Sequence, residues 1–214
     1  MSAPALNAAT APLYARDPFN FYLDPAYCSE LLFAAEPFVG EIHDPACGIG
    51  TIVDAAMRRG LQASGADIVD RAQGRFPVRD FMLALPMKQV DNVVSNPPYS
   101  KRLLVPFIRR ALEIARFKVA MLVQQKFLWS QERVLLLTGA PVVRIYILVD
   151  RPSMPPGDAL LAGEVEAEGG FVDYAWVVWS HDHRGPPTTH WLELSADARA
   201  ARRAARRAKR KGEP

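Results

Sequence analysis

Residues 95–100 read Ser-Asn-Pro-Pro-Tyr-Ser and follow the apolar pair Val93-Val94. Two successive prolines remove two backbone donors and fix two φ angles, so the segment cannot continue as a ladder strand. Each proline also pushes its predecessor into extended geometry, which leaves Asn96 and Pro97 with carbonyls that no helix claims. Such a rigid, acceptor-rich corner suits an exocyclic amine on a nucleobase, whose lone pair is delocalised into the ring. The Asn96 side-chain carbonyl and the Pro97 backbone carbonyl would each accept one N–H. That would favour a more pyramidal nitrogen and stabilise positive charge as it develops during attack on a methyl group. Pro98 would hold the acceptors in place, and Tyr99 would stack on the base once it leaves its helix. Taken alone, the tetrapeptide serves equally well as a proline-stiffened turn.

Further candidate groups lie upstream. Gly48 and Gly50, in DPACGIGT (44–51), permit a turn too tight, or too close to a ligand, for side chains. Asp67 follows about 20 residues later, at the end of a second strand pattern, where a carboxylate accepts from ribose hydroxyls in nucleotide-binding sheets. Asp80-Phe81 ends a third such pattern; the acid suits an adenine amine and the ring its face, although a cap followed by a core aromatic explains the pair equally well. No third glycine stands at the dinucleotide spacing and no Gly-Lys-Thr/Ser is present, so a ligand with ribose but no phosphate fits best. His43, His181, His183 and His190 form no convincing ligand set, and the chemistry needs no metal. Cys47 reads as a small apolar filler of the turn rather than a nucleophile.

The elements that must position these groups alternate. Residues 25–35 suit a helix with Asp24 as N-cap and Pro25 in its first turn. Residues 41–60 read as strand, glycine turn and helix, with strands expected over 64–69, 76–80 and 91–95. A helix over 103–117 accepts Pro106 in its first turn. The apolar run 118–125 reads as a strand buried on both faces, followed by a helix over 129–138 and strands over 142–150 and 173–180. The segment 152–170, rich in Gly, Pro and Glu, reads as a long flexible loop. The pattern predicts an α/β fold, an open, doubly wound, mostly parallel sheet with an antiparallel edge pair. In such sheets ligands bind beyond the carboxyl ends of the strands, where both DPACGIGT and SNPPYS fall.

With 214 residues, half of them apolar, the chain is long enough for one domain with a sizeable core, expected over 17–195 after an irregular lead-in at 1–16. No apolar run reaches the length of a membrane span, no leader pattern opens the chain, and two cysteines (Cys28 and Cys47) make no disulfide framework, so the expected compartment is the cytoplasm. Net charge is +3, yet residues 198–211 hold eight cations and no anion, leaving about −5 elsewhere (3 − 8). Within this basic tail (196–214), Arg199, Arg202, Arg203, Arg206, Arg207 and Arg210 would fall on one face of a helix. That stripe suits a phosphate backbone, or equally a solvated tail.

The succession DPACGIGT, GADIVD (65–70), RDF (79–81) and SNPPYS resembles the class I S-adenosylmethionine-dependent methyltransferases of the amino-methylating branch, and within it the small N6-adenine DNA methyltransferases of phages and prophages. KFLWSQERVLLL (126–137), the RPS at 151–153 and AWVVW (175–179) extend the likeness to about residues 17–192. The resemblance implies that Asp44, Pro45, Ala46, Cys47, Gly48, Gly50 and Thr51 hold the methionine part of the cofactor. It implies that Asp67 takes the ribose, and Asp80 with Phe81 the adenine. NFYLDP (20–25) resembles the family's N-terminal cofactor segment, from which Tyr22 carries over; Leu23-Asp24 stand where Thr-Pro is usual. The implied substrate is an adenine flipped from double-stranded DNA. The same tetrad serves enzymes acting on cytosine N4, RNA bases and protein glutamine, and a non-catalytic recognition subunit is the remaining alternative. Three departures stand out. The span between Asp67 and Asp80 is short for a helix, there is no room after 192 for a target-recognition domain, and 152–170 is acidic (Asp158, Glu164, Glu166, Glu168). Specificity would then be relaxed, or supplied by a separate subunit or a homodimer.

Overall fold

The computed structural model describes residues 21–83, 89–129, 131–167 and 170–210, without the side chains of 132, 206, 209 and 210. The expected lead-in at 1–16 lies outside the described residues. Helix α1 (Tyr27–Ala35) precedes strand β1 (Ile42–Asp44), α2 (Thr51–Arg58) and β2 (Ala63–Gly65). Then come β3 (Val90–Ser95), α3 (Leu104–Ile114) and β4 (Ala115–Gln124). Two 3₁₀ turns (Gln125–Trp129 and Gln131–Arg133) lead to α4 (Val134–Thr138), β5 (Val142–Leu148), α5 (Gly157–Leu161), β6 (Tyr174–Ser180), β7 (Thr188–Leu192) and α6 (Ala196–Arg210).

The strands form one sheet in the order β2-β1-β3-β4-β6-β5-β7. β2, β1, β3 and β4 run parallel, and β6 runs antiparallel to both β4 and β5. The antiparallel pair is thus present but lies one strand in from the edge, because β7 adds parallel to β5 outside it. The pattern TTHWL hides β7: its first four residues are exposed, so no apolar alternation marks it. Residues 76–80 do not make a full strand either. Only an isolated bridge joins Asp67 to Val78, and no helix lies between them.

The continuous apolar runs have a direct cause. Successive residues of a strand point to opposite faces, and here both faces are covered. Val94, Ala120, Leu122, Trp176 and Val178 pack with α1 and α2, whereas Val93, Val119, Met121, Val177 and Trp179 pack with α3 and α4. Each buried indole donates into its covering layer: Trp176 Nε1 to the Cys28 carbonyl (2.9 Å) and Trp179 Nε1 to that of Leu136 (2.8 Å). At the end of α1 the buried Glu36 carboxylate accepts from Lys118 Nζ (2.5 Å), Arg144 Nη1 (2.9 Å to each oxygen) and the Tyr146 hydroxyl (3.0 Å), fastening the helix to β4 and β5.

Candidate active site

The chain winds outward from β1 to β2, then returns to lay β3 on the other side of β1, so the strand order reverses between β1 and β3. The crevice at such a reversal is where open α/β sheets bind ligands. One cleft opens there. Tyr22, Asp44, Pro45, Ala46, Cys47, Thr51, Asp67, Asp80 and Phe81 line it, together with Asn96 and Pro98. Of the sequence-predicted residues, Gly48, Gly50, Pro97 and Tyr99 do not line it.

The glycines shape the wall from behind. Gly48 and Gly50 take φ of +54° and +96°, a region where a Cβ is strained. A Cβ on Gly48 would stand 2.5 Å from the Phe21 ring, and one on Gly50 2.7 Å from Phe76. The Gly48 N–H donates to Asp67 Oδ2 (2.7 Å), while Asp67 Oδ1 accepts from Val69 N (3.1 Å) and Arg71 Nη1 (2.8 Å). Arg71 is a cleft residue the sequence reading missed. Its side chain is 5% exposed, and its guanidinium lies 4.2 Å from the centre of the Phe21 ring. No local signal marks it, because residues 67–71 are not helical and the spacing to Asp67 carries no information there. Asp80 Oδ1 accepts from Met82 N (2.8 Å), and the Phe81 ring packs 4.7 Å from that of Phe107, so this pair serves turn and core as well as cleft.

Asp44, at the end of β1, accepts from Ala46 N (3.1 Å) and from the Ser95 hydroxyl at the end of β3 (2.7 Å). Burial pushes its carboxyl up to about 8; those two bonds pull it down, and the charges of Asp24 and Asp67 add to the rise. Burial likewise raises the Cys47 thiol, which keeps it protonated and suits the filler reading.

Asp24 is not the N-cap of α1. The helix begins two residues beyond Pro25, its N-cap is Ala26, and no side chain caps it. Asp24 instead turns into the cleft, 7% exposed, and accepts from Asn96 Nδ2 (3.2 Å). Asn96 Nδ2 also donates to the Tyr22 carbonyl (3.0 Å), and Asn96 Oδ1 accepts from the Tyr99 hydroxyl. Tyr99, expected as a stacking platform, points inward: its hydroxyl also reaches the Leu122 carbonyl (3.3 Å), and its ring lies 6.3 Å from Tyr22 and 6.1 Å from Tyr174.

The first part of the expected flexible loop is not loose. Pro152–Gly157 are all buried. Leu23 N donates to the Pro155 carbonyl (3.2 Å), Gly157 N to that of Phe21 (2.9 Å), and Tyr22 bridges Pro156. Prolines with no donor to satisfy and apolar rings to cover make this a strap that holds residues 21–24 against the cleft. Glu168 lies outside the described residues.

The arginine stripe is divided. Arg199 pairs with Asp150 (2.8 Å) and Glu193 (2.9 Å), and Arg202 donates to the Tyr27 hydroxyl (3.0 Å) and the Arg151 carbonyl (3.2 Å). These two pin α6 to the body, so they are not free for phosphate. Arg203 and Arg207 are exposed, and the side chains of Arg206 and Arg210 lie outside the described residues. The 3₁₀ turn at the carboxyl end of β4 carries an exposed Lys126 and Trp129, Arg133 lies over the Phe127 ring, and Lys101 and Arg102 are exposed shortly after the tetrad.

The sequence matches no protein-family model and no curated protein. Solved structures do share the fold. Over 81% of its length the chain superposes on 95% of a Pyrococcus horikoshii protein described as an RNA methyltransferase, with TM-score 0.57 and 18% identity. It covers 82% of itself and 48% of a modification subunit of a type I restriction enzyme from Vibrio vulnificus (TM-score 0.54, 13% identity), spanning about half of that subunit. It also matches 67% of a protein from Listeria monocytogenes described as a class I S-adenosylmethionine-dependent methyltransferase, over 84% of its own length (TM-score 0.53, 14% identity). The fold is therefore that of the class I S-adenosylmethionine-dependent methyltransferases.

Proposed function

We propose that this chain transfers a methyl group from S-adenosylmethionine to the exocyclic N6 amine of adenine in DNA. The observation that carries the reading is that Asn96 opens from the end of β3 into the same cleft as Asp44, Asp67 and Asp80. The cleft's chemistry fits the cofactor. Its buried carboxylates suit an α-ammonium, ribose hydroxyls and a sulfonium, and its glycine turn leaves no room for side chains. Asp67 would hold the ribose, Asp80 and Phe81 the adenine, and Asp44 with the 45–51 turn the methionine part. The bound cofactor supplies an electrophilic methyl carbon. Asn96 Oδ1, with a second lone pair beside its bond from Tyr99, and the Pro97 carbonyl accept the amine N–H bonds as the nitrogen gains charge.

A polynucleotide substrate is supported by the exposed cations Lys101 and Arg102 after β3 and by Lys126 with the exposed Trp129 in the turn after β4. Arg203 and Arg207 extend this charge on α6. Target choice comes from a second subunit or a second copy, and the setting is the cytoplasm. The test is mass spectrometry of nucleosides from cells making this protein or its Asn96→Ala variant. N6-methyladenine in DNA with the wild type alone supports the proposal. Methylation confined to RNA or to another amine keeps the chemistry and replaces the substrate. Cofactor binding without methylation of any amine points to a recognition subunit.

A further inference from the structure

We propose that Asp24 is a positioning residue for Asn96: it fixes the side-chain amide with its oxygen toward the target amine. This rests on the reading of Asn96 as amine acceptor. An asparagine amide is nearly symmetric in shape, and a half-turn about its last bond exchanges the acceptor for a donor. Only one orientation serves the chemistry, because an NH₂ presented to an exocyclic amine would repel its N–H bonds. The tetrad itself does not decide between the two.

Two acceptor-only groups beside Asn96 do decide, and the Tyr99 hydroxyl, able to donate or accept, follows them. The Tyr22 carbonyl can only accept, and it lies 3.0 Å from Nδ2. Asp24 Oδ1 takes the second Nδ2 proton at 3.2 Å, and the Tyr99 hydroxyl donates to Oδ1 from the opposite side. Asp24 reaches this place from the segment before α1, held by the strap at Pro155–Gly157, and not from the sheet that carries Asn96. A carboxylate this buried is costly unless its bonds matter, and its Oδ2 has no partner among the described residues. It caps no helix. A carboxylate accepting from an amide NH₂ also draws electron density toward the amide oxygen, which strengthens Oδ1 as an acceptor for a nitrogen gaining positive charge.

The experiment compares wild type, Asp24→Asn and Asp24→Ala in steady-state methylation, and follows solvent exchange of the Asn96 side-chain amide protons by ¹⁵N NMR. We expect kcat to fall on the order of 10–100-fold, the scale of a misplaced reacting group, with KM for the nucleic acid retained and the thermal midpoint of Asp24→Asn not lowered. One Asn96 amide proton should lose its protection in Asp24→Ala. Asp24→Asn is isosteric, removes the charge and replaces one acceptor oxygen by an NH₂ donor, so it carries the test should Asp24→Ala not fold. Wild-type kcat in both variants overturns the inference. So does a rise in KM for the cofactor alone, which would make Asp24 merely part of the cofactor wall. If the wild type methylates no amine, the reading of the tetrad fails; unchanged Asn96 protection in Asp24→Ala would then separately refute the hold by Asp24.

Discussion

Replacing Glu36 by alanine tests whether its carboxylate fastens the end of α1 to β4 and β5. The carboxylate has no solvent exposure, whereas its partners Lys118 and Arg144 keep 19% and 32% of theirs. Removing one member of a buried pair typically costs about 3–5 kcal/mol, because the opposite charge is left uncompensated. Here two cations and the Tyr146 hydroxyl lose their shared acceptor, but partial solvation of the cations relieves them, so the lower end, about 3 kcal/mol, is expected. For a domain of this size that corresponds to a fall in Tm of about 6–12 °C. Glu36→Gln keeps an acceptor oxygen and should lose about half as much. Urea unfolding followed by near- and far-ultraviolet circular dichroism measures both. A loss below about 1 kcal/mol for Glu36→Ala would refute the argument and mean that α1 is held by its apolar face alone.

Burial raises the carboxyls of Asp24 and Asp44 above 3.8, to about 6 and about 8. At these two groups the folded state then binds more protons than the unfolded one between about pH 4 and 8, so their contribution to the stability of the cofactor-free protein should be greatest below about pH 4 and be lost as pH rises through 6 and then 8. Urea midpoints across that window measure the slope, and Asp44→Asn should flatten its upper half. Gly48→Ala forces a Cβ at φ +54° against Phe21. Strain of about 1–2 kcal/mol and a displaced ring should weaken S-adenosylmethionine binding about tenfold or more in calorimetry. The double variant Arg199→Ala, Arg202→Ala should expose α6 to trypsin, measured as faster cleavage after Arg203 and Arg207, while cofactor affinity is retained.

The strand-to-helix turn at 44–51 and the apolar strand over 118–125 were legible because their signals are local: two glycines between a short strand and a helix, and a run covered on both faces. What escaped the sequence depends on partners far along the chain. Asp24 before Pro25 has the composition of a helix cap, yet its bond is to a residue 72 positions away. The prolines of 152–157 read as loop punctuation, and only the rings and backbone of residues 21–24 make them buried. Nothing near Tyr99 in the sequence announces its ring neighbours Tyr22 and Tyr174, which lie 77 positions before it and 75 after. The arginine stripe was seen as a face, but Asp150, Glu193 and Tyr27 decide which of its members remain available.

The pairing of Tyr22 with Pro156 has a consequence for how the molecule comes into being. A ribosome delivers the glycine turn, Asp67 and the tetrad well before residue 157, and early stretches begin to fold as they emerge. Until the strap arrives, residues 21–24 have no backbone to grip, and Asn96 lacks the neighbours that set its amide. The nascent chain can therefore hold the cleft residues of β1, β2 and β3 and still lack a closed cleft. The finished cleft is acquired late in synthesis, as a property of closure across the chain.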